Sequence, residues 1–164
     1  MVNHPADFRI EPATERDVPL ILRLIRGLAD YERLNHAVVA DEAMLRESLF
    51  GSNPAADVAI ARLGANGVGM AIWFYNYSTF LGRRGLYLED LFVLPEWRGR
   101  GIGRALLAHL AHVAMEKGCG RMEWAVLDWN ESAIGFYRNL GAQATDQWTV
   151  YRVTGDALAR LAAG

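Results

Sequence analysis

The chain contains a single cysteine, Cys119, so no disulfide can form within it, which suits a reducing compartment. No run of about 18 apolar residues is present, and none of the chain reads as a transmembrane helix. The opening Met1 to Arg9 is polar, carries Pro5 and Asp7, and lacks the apolar core of a secretory signal. A cytoplasmic protein without a membrane partner is expected. An excess of basic charge is missing as well. Seventeen Lys and Arg against nineteen Asp and Glu leave a formal charge of -2, whereas a nucleic-acid-binding domain is normally strongly basic. His109 and His112 are three apart in a helical stretch, but no third ligand accompanies them. A solvated helix face accounts for both, and no metal is expected.

What is present reads as an ordinary globular protein, 52% hydrophobic and 22% charged. The 164 residues show no internal repeat, low-complexity tract or linker, so one domain spanning 1–164 is expected. A chain of this size buries about 70% of its unfolded surface and needs no covalent staple.

Phe8 to Glu11 reads as a first strand, and Thr14 with Asp17 as a capping box opening a helix that runs to Tyr31 or Leu34. Val18, Ile21, Leu22, Ile25, Leu28 and Ala29 recur at helical spacing and mark its inner face. Asp41 caps a shorter helix containing Leu45 and Leu49. Val58 to Leu63 and Val68 to Tyr75 are strands, with Ala65-Asn66-Gly67 as the hairpin turn. After a turn at Gly82 to Gly85, Leu86 to Leu94 forms a long strand carrying Glu89 and Asp90. A helix from Ile102 to Lys117 follows and stops at Gly118 and Gly120. Met122 to Leu127 is a strand, Glu131 to Leu140 a helix capped by Gly141, Trp148 to Val153 a strand, and Asp156 to Ala162 a last helix. The class is α/β (α+β): a mixed, mostly antiparallel central sheet flanked by helices, with a β-α-β-α-β C-terminal half.

The most informative segment is Leu91-Phe92-Val93-Leu94-Pro95-Glu96-Trp97-Arg98-Gly99-Arg100-Gly101-Ile102-Gly103. A strand ends at Pro95, a glycine turn follows, and a helix begins at once. A helix N-terminus offers unpaired N–H groups and about half a positive charge, so it accepts phosphate directly. Gly99, Gly101 and Gly103 allow positive φ and close backbone approach, and Arg98, Arg100 and Arg104 surround the nest with charge. A Walker loop is excluded because no Gly-Lys precedes Ser or Thr. The dinucleotide fingerprint is excluded because Arg104 and Leu106 occupy the positions of its third glycine.

This segment resembles the pyrophosphate loop of the GNAT acetyltransferase superfamily: Arg or Gln, two residues, Gly, one residue, then Gly or Ala. Arg98, Gly101 and Gly103 fill the pattern. Tyr87-Leu88-Glu89-Asp90-Leu91-Phe92-Val93, Trp129-Asn130-Glu131, Phe136-Tyr137, Arg9 to Thr14 and Tyr31-Glu32 further resemble the spermidine/spermine and thialysine acetyltransferase branch. The likeness covers Phe8 to Val153.

The resemblance implies a GNAT fold, acetyl-coenzyme A as co-substrate, a small amine acceptor attacking directly in a ternary complex, and a homodimer. Leu91, Phe92, Val93, the turn from Arg98 through Gly99, Arg100, Gly101, Ile102 and Gly103 to Arg104, and Asn130, Ser132 and Ala133 are the implied cofactor residues. Leu91 and Val93 would bond the pantetheine arm as if it were an added strand. Tyr137 is the implied general acid for the departing thiolate, and its alternative is a core aromatic beside Phe136. Asn130 also suits a helix N-cap.

An alkylamine with a pKa of about 10 is protonated at neutral pH, so a carboxylate or a water relay must take its proton. The resemblance gives that role to Glu89. Strand alternation sends Glu89 and Asp90 to opposite faces, and either acid also suits pairing with Arg83 or Arg84. Tyr31, Glu32, Glu89, Asp90, Glu123 and Trp124 are the expected acceptor residues. The polyamine enzymes continue with acidic residues after the Tyr31-Glu32 pair, whereas this chain has Arg33-Leu34-Asn35-His36. The resemblance implies a small diamine, polyamine or diamino acid as acceptor. The departure weakens the case for long, multiply charged polyamines and leaves room for a diamino acid such as thialysine or lysine, or another small primary amine. A peptide acetyltransferase and a non-catalytic coenzyme A-binding module remain as alternatives. The aromatic run Trp73, Phe74, Tyr75, Tyr77 and Phe80 suits core or dimer packing, or a wall of the acceptor channel.

Overall fold

Apolar runs punctuated by glycine turns build the sheet in the computed structural model, which describes residues 7–164. Residues 1–6 of the polar opening discussed above lie outside the described residues. The sheet follows chain order: β1 (Phe8–Pro12), β2 (Asp57–Leu63), β3 (Asn66–Ser78), β4 (Arg83–Val93) and β5 (Met122–Trp124). The first four strands are antiparallel neighbours and β5 joins β4 in parallel. A parallel neighbour requires a crossover, and α3 (Ile102–Glu116) supplies it. Helices α1 (Val18–Tyr31) and α2 (Glu42–Phe50) precede β2, and α4 (Glu131–Asn139) and α5 (Gly155–Ala162) follow β5. Two compact units result: residues 1–125 with the sheet and α1 to α3, and residues 126–164 with α4 and α5.

In the larger unit both sheet faces are covered. Val18, Ile21, Leu22 and Leu24 of α1 and Leu45 of α2 pack with Val58, Ile60, Met70, Ile72 and Phe92 on one face. The other face meets α3, where the His109 ring stands edge-on to Trp73, with centroids 6.5 Å apart. Leu106 and Leu110 of α3 have no exposed surface.

Several elements differ from expectation. Thr14 and Asp17 do pair, the Asp17 carboxylate accepting from the Thr14 N–H at 2.9 Å. They close a 3-10 turn (Glu15–Asp17), however, and α1 begins only at Val18. Leu24, absent from the expected inner face, has no exposed surface, whereas Ile25 and Leu28 are partly buried. The β2–β3 turn is Gly64-Ala65, one step earlier than expected, because Leu63 already pairs with Asn66. Gly64 takes φ 56° at the first central position, where a two-residue hairpin favours glycine.

β5 stops at Trp124 instead of Leu127. Trp148 to Val153 is no strand; the β-α-β-α-β pattern loses its last member among the described residues. Alternation alone cannot make a strand without a paired edge, and Trp148, Val150 and Tyr151 are exposed.

One ion cluster ties the N-terminal elements together. Arg62 of β2 donates to Glu11 of β1 and to Asp17 before α1, and Arg9 bonds Glu11 at 2.9 Å. The Arg62 and Asp17 side chains are only 14% and 13% exposed. Hydrogen bonds from Arg9 and then Arg62 lower the Glu11 pKa. Burial raises that of Asp17, but the Thr14 N–H and Arg62 outweigh it and the net shift is downward.

Lowered folded-state pKa values stabilise the fold above the ordinary carboxylate range, and this contribution is lost as pH falls through the folded values. Arg62→Ala is therefore expected to cost about 1–3 kcal/mol at pH 7 by urea denaturation, with the difference from wild type shrinking below about pH 4. An equal loss at pH 3 and pH 7 would instead assign Arg62 to packing.

Candidate functional site

The site is organised by an irregularity in β4. Trp73 pairs with Leu88, but the next residue back on β3, Ile72, pairs with Asp90. Glu89 is the extra residue of a β-bulge. Neighbouring residues of β3 point to opposite faces, so Leu88 shares the α3 face with Trp73, while Asp90 and Phe92 share the α1 face with Ile72 and Met70. The expected simple alternation through Glu89 and Asp90 is thus broken, and the two acids are electrostatically coupled. Burial, then the charges of Glu89 and Glu32, push the Asp90 carboxyl up to about 6. Glu32 itself is raised by burial. Three expected acceptor residues are brought together in this way.

The bulge also marks where pairing changes. β5 pairs with Leu86, Tyr87 and Leu88 only, so the ladder on that side of β4 ends where Glu89 begins. Leu91, Phe92 and Val93 pair with β3 on the other side. Glu123 and Trp124 sit on β5 opposite Tyr87 and Leu88. The Glu123 carboxylate is engaged by Arg121 at 2.8 Å and by the Asn76 amide at 3.0 Å. Burial, then Glu89 and Glu123, raise the Tyr87 pKa.

After β4, a 3-10 turn (Pro95–Trp97) leads into the glycine segment. Gly99 and Gly101 are left-handed, with φ 72° and 79°. Gly103 is not; it lies in the first turn of α3. The N-cap of α3 is Gly101, no side chain caps it, and no acidic residue occupies the first turn. An anion therefore meets N–H groups and the helix dipole without a competing carboxylate. This fits the phosphates of a coenzyme.

Two of the three arginines do not simply surround the nest. The Arg98 guanidinium lies over the rings of Tyr31 and Phe92, 4.5 and 5.4 Å from their centroids, and its Nε donates to the Val93 carbonyl at 3.0 Å. Arg100 stacks on Trp97 at 4.7 Å. Neither pairing was legible in the sequence. Tyr31 is the last residue of α1, which ends in a Schellman motif: Leu34 N–H to the Ala29 carbonyl at 2.8 Å and Arg33 N–H to Asp30 at 3.1 Å. Arg33 takes the left-handed position normally given to glycine, with φ 61°.

In the smaller unit the Asn130 side chain accepts from the Ala133 N–H at 3.2 Å and caps α4, which places Ser132 and Ala133 in its first turn. Tyr137 lies on the same helix, its ring 5.4 Å from that of Phe136.

The aromatic run divides: Trp73 is buried, Tyr75 lies under Arg84 at 5.2 Å, and Tyr77 and Phe80 are exposed. Two open clefts, of about 510 and 470 Å³, lie elsewhere, the first beside Arg83, Arg84 and Lys117 and the second beside Leu20, Arg62 and Trp97. Neither of these two is lined by Glu32, Glu89 or Asp90. Among the described residues no cluster of three metal-ligating side chains occurs and no helix is long and apolar enough to cross a membrane.

A mixed sheet whose β4 runs into a glycine turn at a helix start, beside a carboxylate cluster, defines the class: an α/β fold. The family model of the acetyltransferase (GNAT) family matches residues 25–142. Mouse thialysine N-epsilon-acetyltransferase is 40% identical, with 96% of this chain and 98% of that protein covered. The Arabidopsis thaliana L-ornithine N5-acetyltransferase is 34% identical, with coverages of 94% and 88%. Among solved structures, an integron cassette protein from the mobile metagenome of V. cholerae matches with a TM-score of 0.83 and 26% identity, covering 98% of this chain and 100% of its own. The chain belongs to the GNAT acetyltransferase family and is an N-acetyltransferase, in the branch of the thialysine and spermidine/spermine enzymes.

A carboxyl raised to about 6 in the fold favours the protonated state, so ionising it opposes folding between its unfolded value, about 4, and its folded value. Asp90→Asn is expected to stabilise the protein at pH 8 in thermal melts. The gain should shrink from about pH 6 and vanish below about pH 4, where Asp90 is protonated folded or unfolded. A gain that persists unchanged at pH 3 would show that the charges of Glu89 and Glu32 are not its cause.

Proposed function

We propose that the protein moves the acetyl group of acetyl-coenzyme A to a primary amine of a small diamino acid or diamine. The observation that carries this is the grouping of Glu32, Glu89 and Asp90, whose mutual charge and burial raise Asp90. Such a group attracts a cationic amine, and a carboxylate beside it is the kind of acceptor that removal of the amine proton needs. The names of the mouse and Arabidopsis relatives support amino-acid side-chain amines. Arg33 and His36, standing where polyamine enzymes carry acids, favour a short acceptor over a long polycation.

On this reading the backbone from Arg98 to Arg104 holds the pyrophosphate, with Ile102 and Gly103 opening α3. The β4 edge from Leu91 to Val93, left without a β5 partner, takes the pantetheine arm, and an N–H near Leu91 polarises the thioester carbonyl. Glu89 accepts the amine proton, directly or through water. Tyr137 returns a proton to the thiolate, and Asn130, Ser132 and Ala133 contact the coenzyme; these roles rest on the motif the α4 segment carries. We further assign residues 1–164 to one catalytic domain, acting in the cytoplasm as a homodimer, with the exposed Trp148, Val150 and Tyr151 as the segment a second copy would cover.

A coenzyme A thiol-release assay over diamines, polyamines, diamino acids and peptides tests the acceptor. Diamino acids should give the highest kcat/KM; coenzyme A binding without turnover on any amine would reduce the protein to a binding module. Tyr137→Phe should lower kcat roughly 100-fold, the scale of a lost general acid, with acetyl-coenzyme A affinity little changed. Equal losses in both would make Tyr137 a packing residue.

A further inference from the structure

We propose that Arg98 is a positioning residue for the acceptor: its guanidinium, instead of gripping phosphate, clamps Tyr31 at the end of α1 to the start of the coenzyme turn. This rests on the acetyltransferase reading above and adds a role that the turn motif does not contain.

Three contacts define the clamp. The guanidinium carbon is 4.5 Å from the Tyr31 ring centroid and 5.4 Å from that of Phe92, and Nε donates to the Val93 carbonyl at 3.0 Å. Phe92 is 4% exposed and belongs to the core beneath α1, so two of the three partners are fixed by packing and by the sheet. Tyr31 is the partner that carries the contact to the α1 end of the site. It is 37% exposed, and it ends α1 immediately before Glu32.

The backbone direction agrees. Arg98 is extended (φ -68°, ψ 163°) and its N–H bonds Pro95. The main chain proceeds to Gly99 and the α3 N-terminus while the side chain runs back to the end of β4. A planar, delocalised guanidinium stacks on rings and bonds a carbonyl at the same time, which a lysine ammonium cannot reproduce. The phosphate nest keeps its backbone N–H groups and helix dipole whether or not this side chain is present. The side chain thus sets the position of Tyr31, and through it Glu32, relative to the coenzyme turn.

The test compares Arg98→Ala, Arg98→Lys, Tyr31→Ala and Tyr31→Phe with wild type. Acceptor KM is taken from initial rates, and acetyl-coenzyme A Kd from calorimetry without acceptor. Arg98→Ala should raise acceptor KM about fivefold, the scale of an exposed cation–π contact, and change the acetyl-coenzyme A Kd by less. Arg98→Lys should rescue only part of the loss. Tyr31→Phe, which keeps the ring, should recover most of what Tyr31→Ala loses, and the Arg98→Ala/Tyr31→Ala pair should be clearly less than additive.

An additive pair, or an Arg98→Ala effect concentrated in acetyl-coenzyme A Kd, would overturn the clamp while leaving the acetyltransferase reading intact. A wild-type protein inert toward every amine would overturn both.

Discussion

The architecture depends on one extra residue in β4. With Glu89 inserted between the partners of Trp73 and Ile72, the strand changes which of its residues face which helix layer. Leu86 and Leu88 fill the α3 side; two steps on, Asp90 and Phe92 fill the α1 side. Without the bulge, Asp90 would point where Leu88 points, into an apolar layer with no compensating charge. With it, the carboxyl reaches the end of α1 and Glu32. The same irregularity coincides with the end of β5 pairing. A β-bulge bends its strand and strengthens its twist, and here it falls where β4 passes from three-strand pairing to pairing with β3 alone.

The ion groups divide along the same line. Arg62, Glu11 and Asp17 form a compensated cluster whose carboxyls are held below their ordinary values, the sign of charges that contribute to folding. Glu32 and Asp90 are shifted the other way, the sign of groups held together at a cost to the fold. Uncompensated acids of this kind persist where a cationic ligand completes them. The opposite directions set the Arg62 cluster apart from the Glu32–Asp90 group without reference to any relative.

Much of this was legible because it is local. A strand ending at Pro95, two left-handed glycines and a helix start lie within a few consecutive residues, and each has a short-range cause. The Asp41 and Asn130 caps were readable for the same reason. The bulge was not, because register belongs to a pair of strands and Leu88-Glu89-Asp90 looks like ordinary alternation. Nor was the direction of Arg98: three arginines around a glycine turn suggest phosphate charge, and only the placement of Tyr31, 67 residues earlier in the chain, redirects one of them. Trp148 to Val153 misled for a related reason, since its alternation describes a surface but not an edge to pair with.

On the proposed reading the two substrates are recognised by different parts of the chain, which explains why one was easier to read than the other. The proposed coenzyme site is made of backbone: N–H groups of a helix end and a strand edge beyond the β5 ladder, which any sequence with glycines in the right places can present. That leaves a short, portable motif. The proposed amine site is made of side chains, Glu32 after α1 with Glu89 and Asp90 at the β4 bulge, which come together only through the fold. The stacked Arg98 is where the two meet, its backbone opening the coenzyme turn and its guanidinium on Tyr31. A motif residue read only for its charge would have been placed entirely on the coenzyme side.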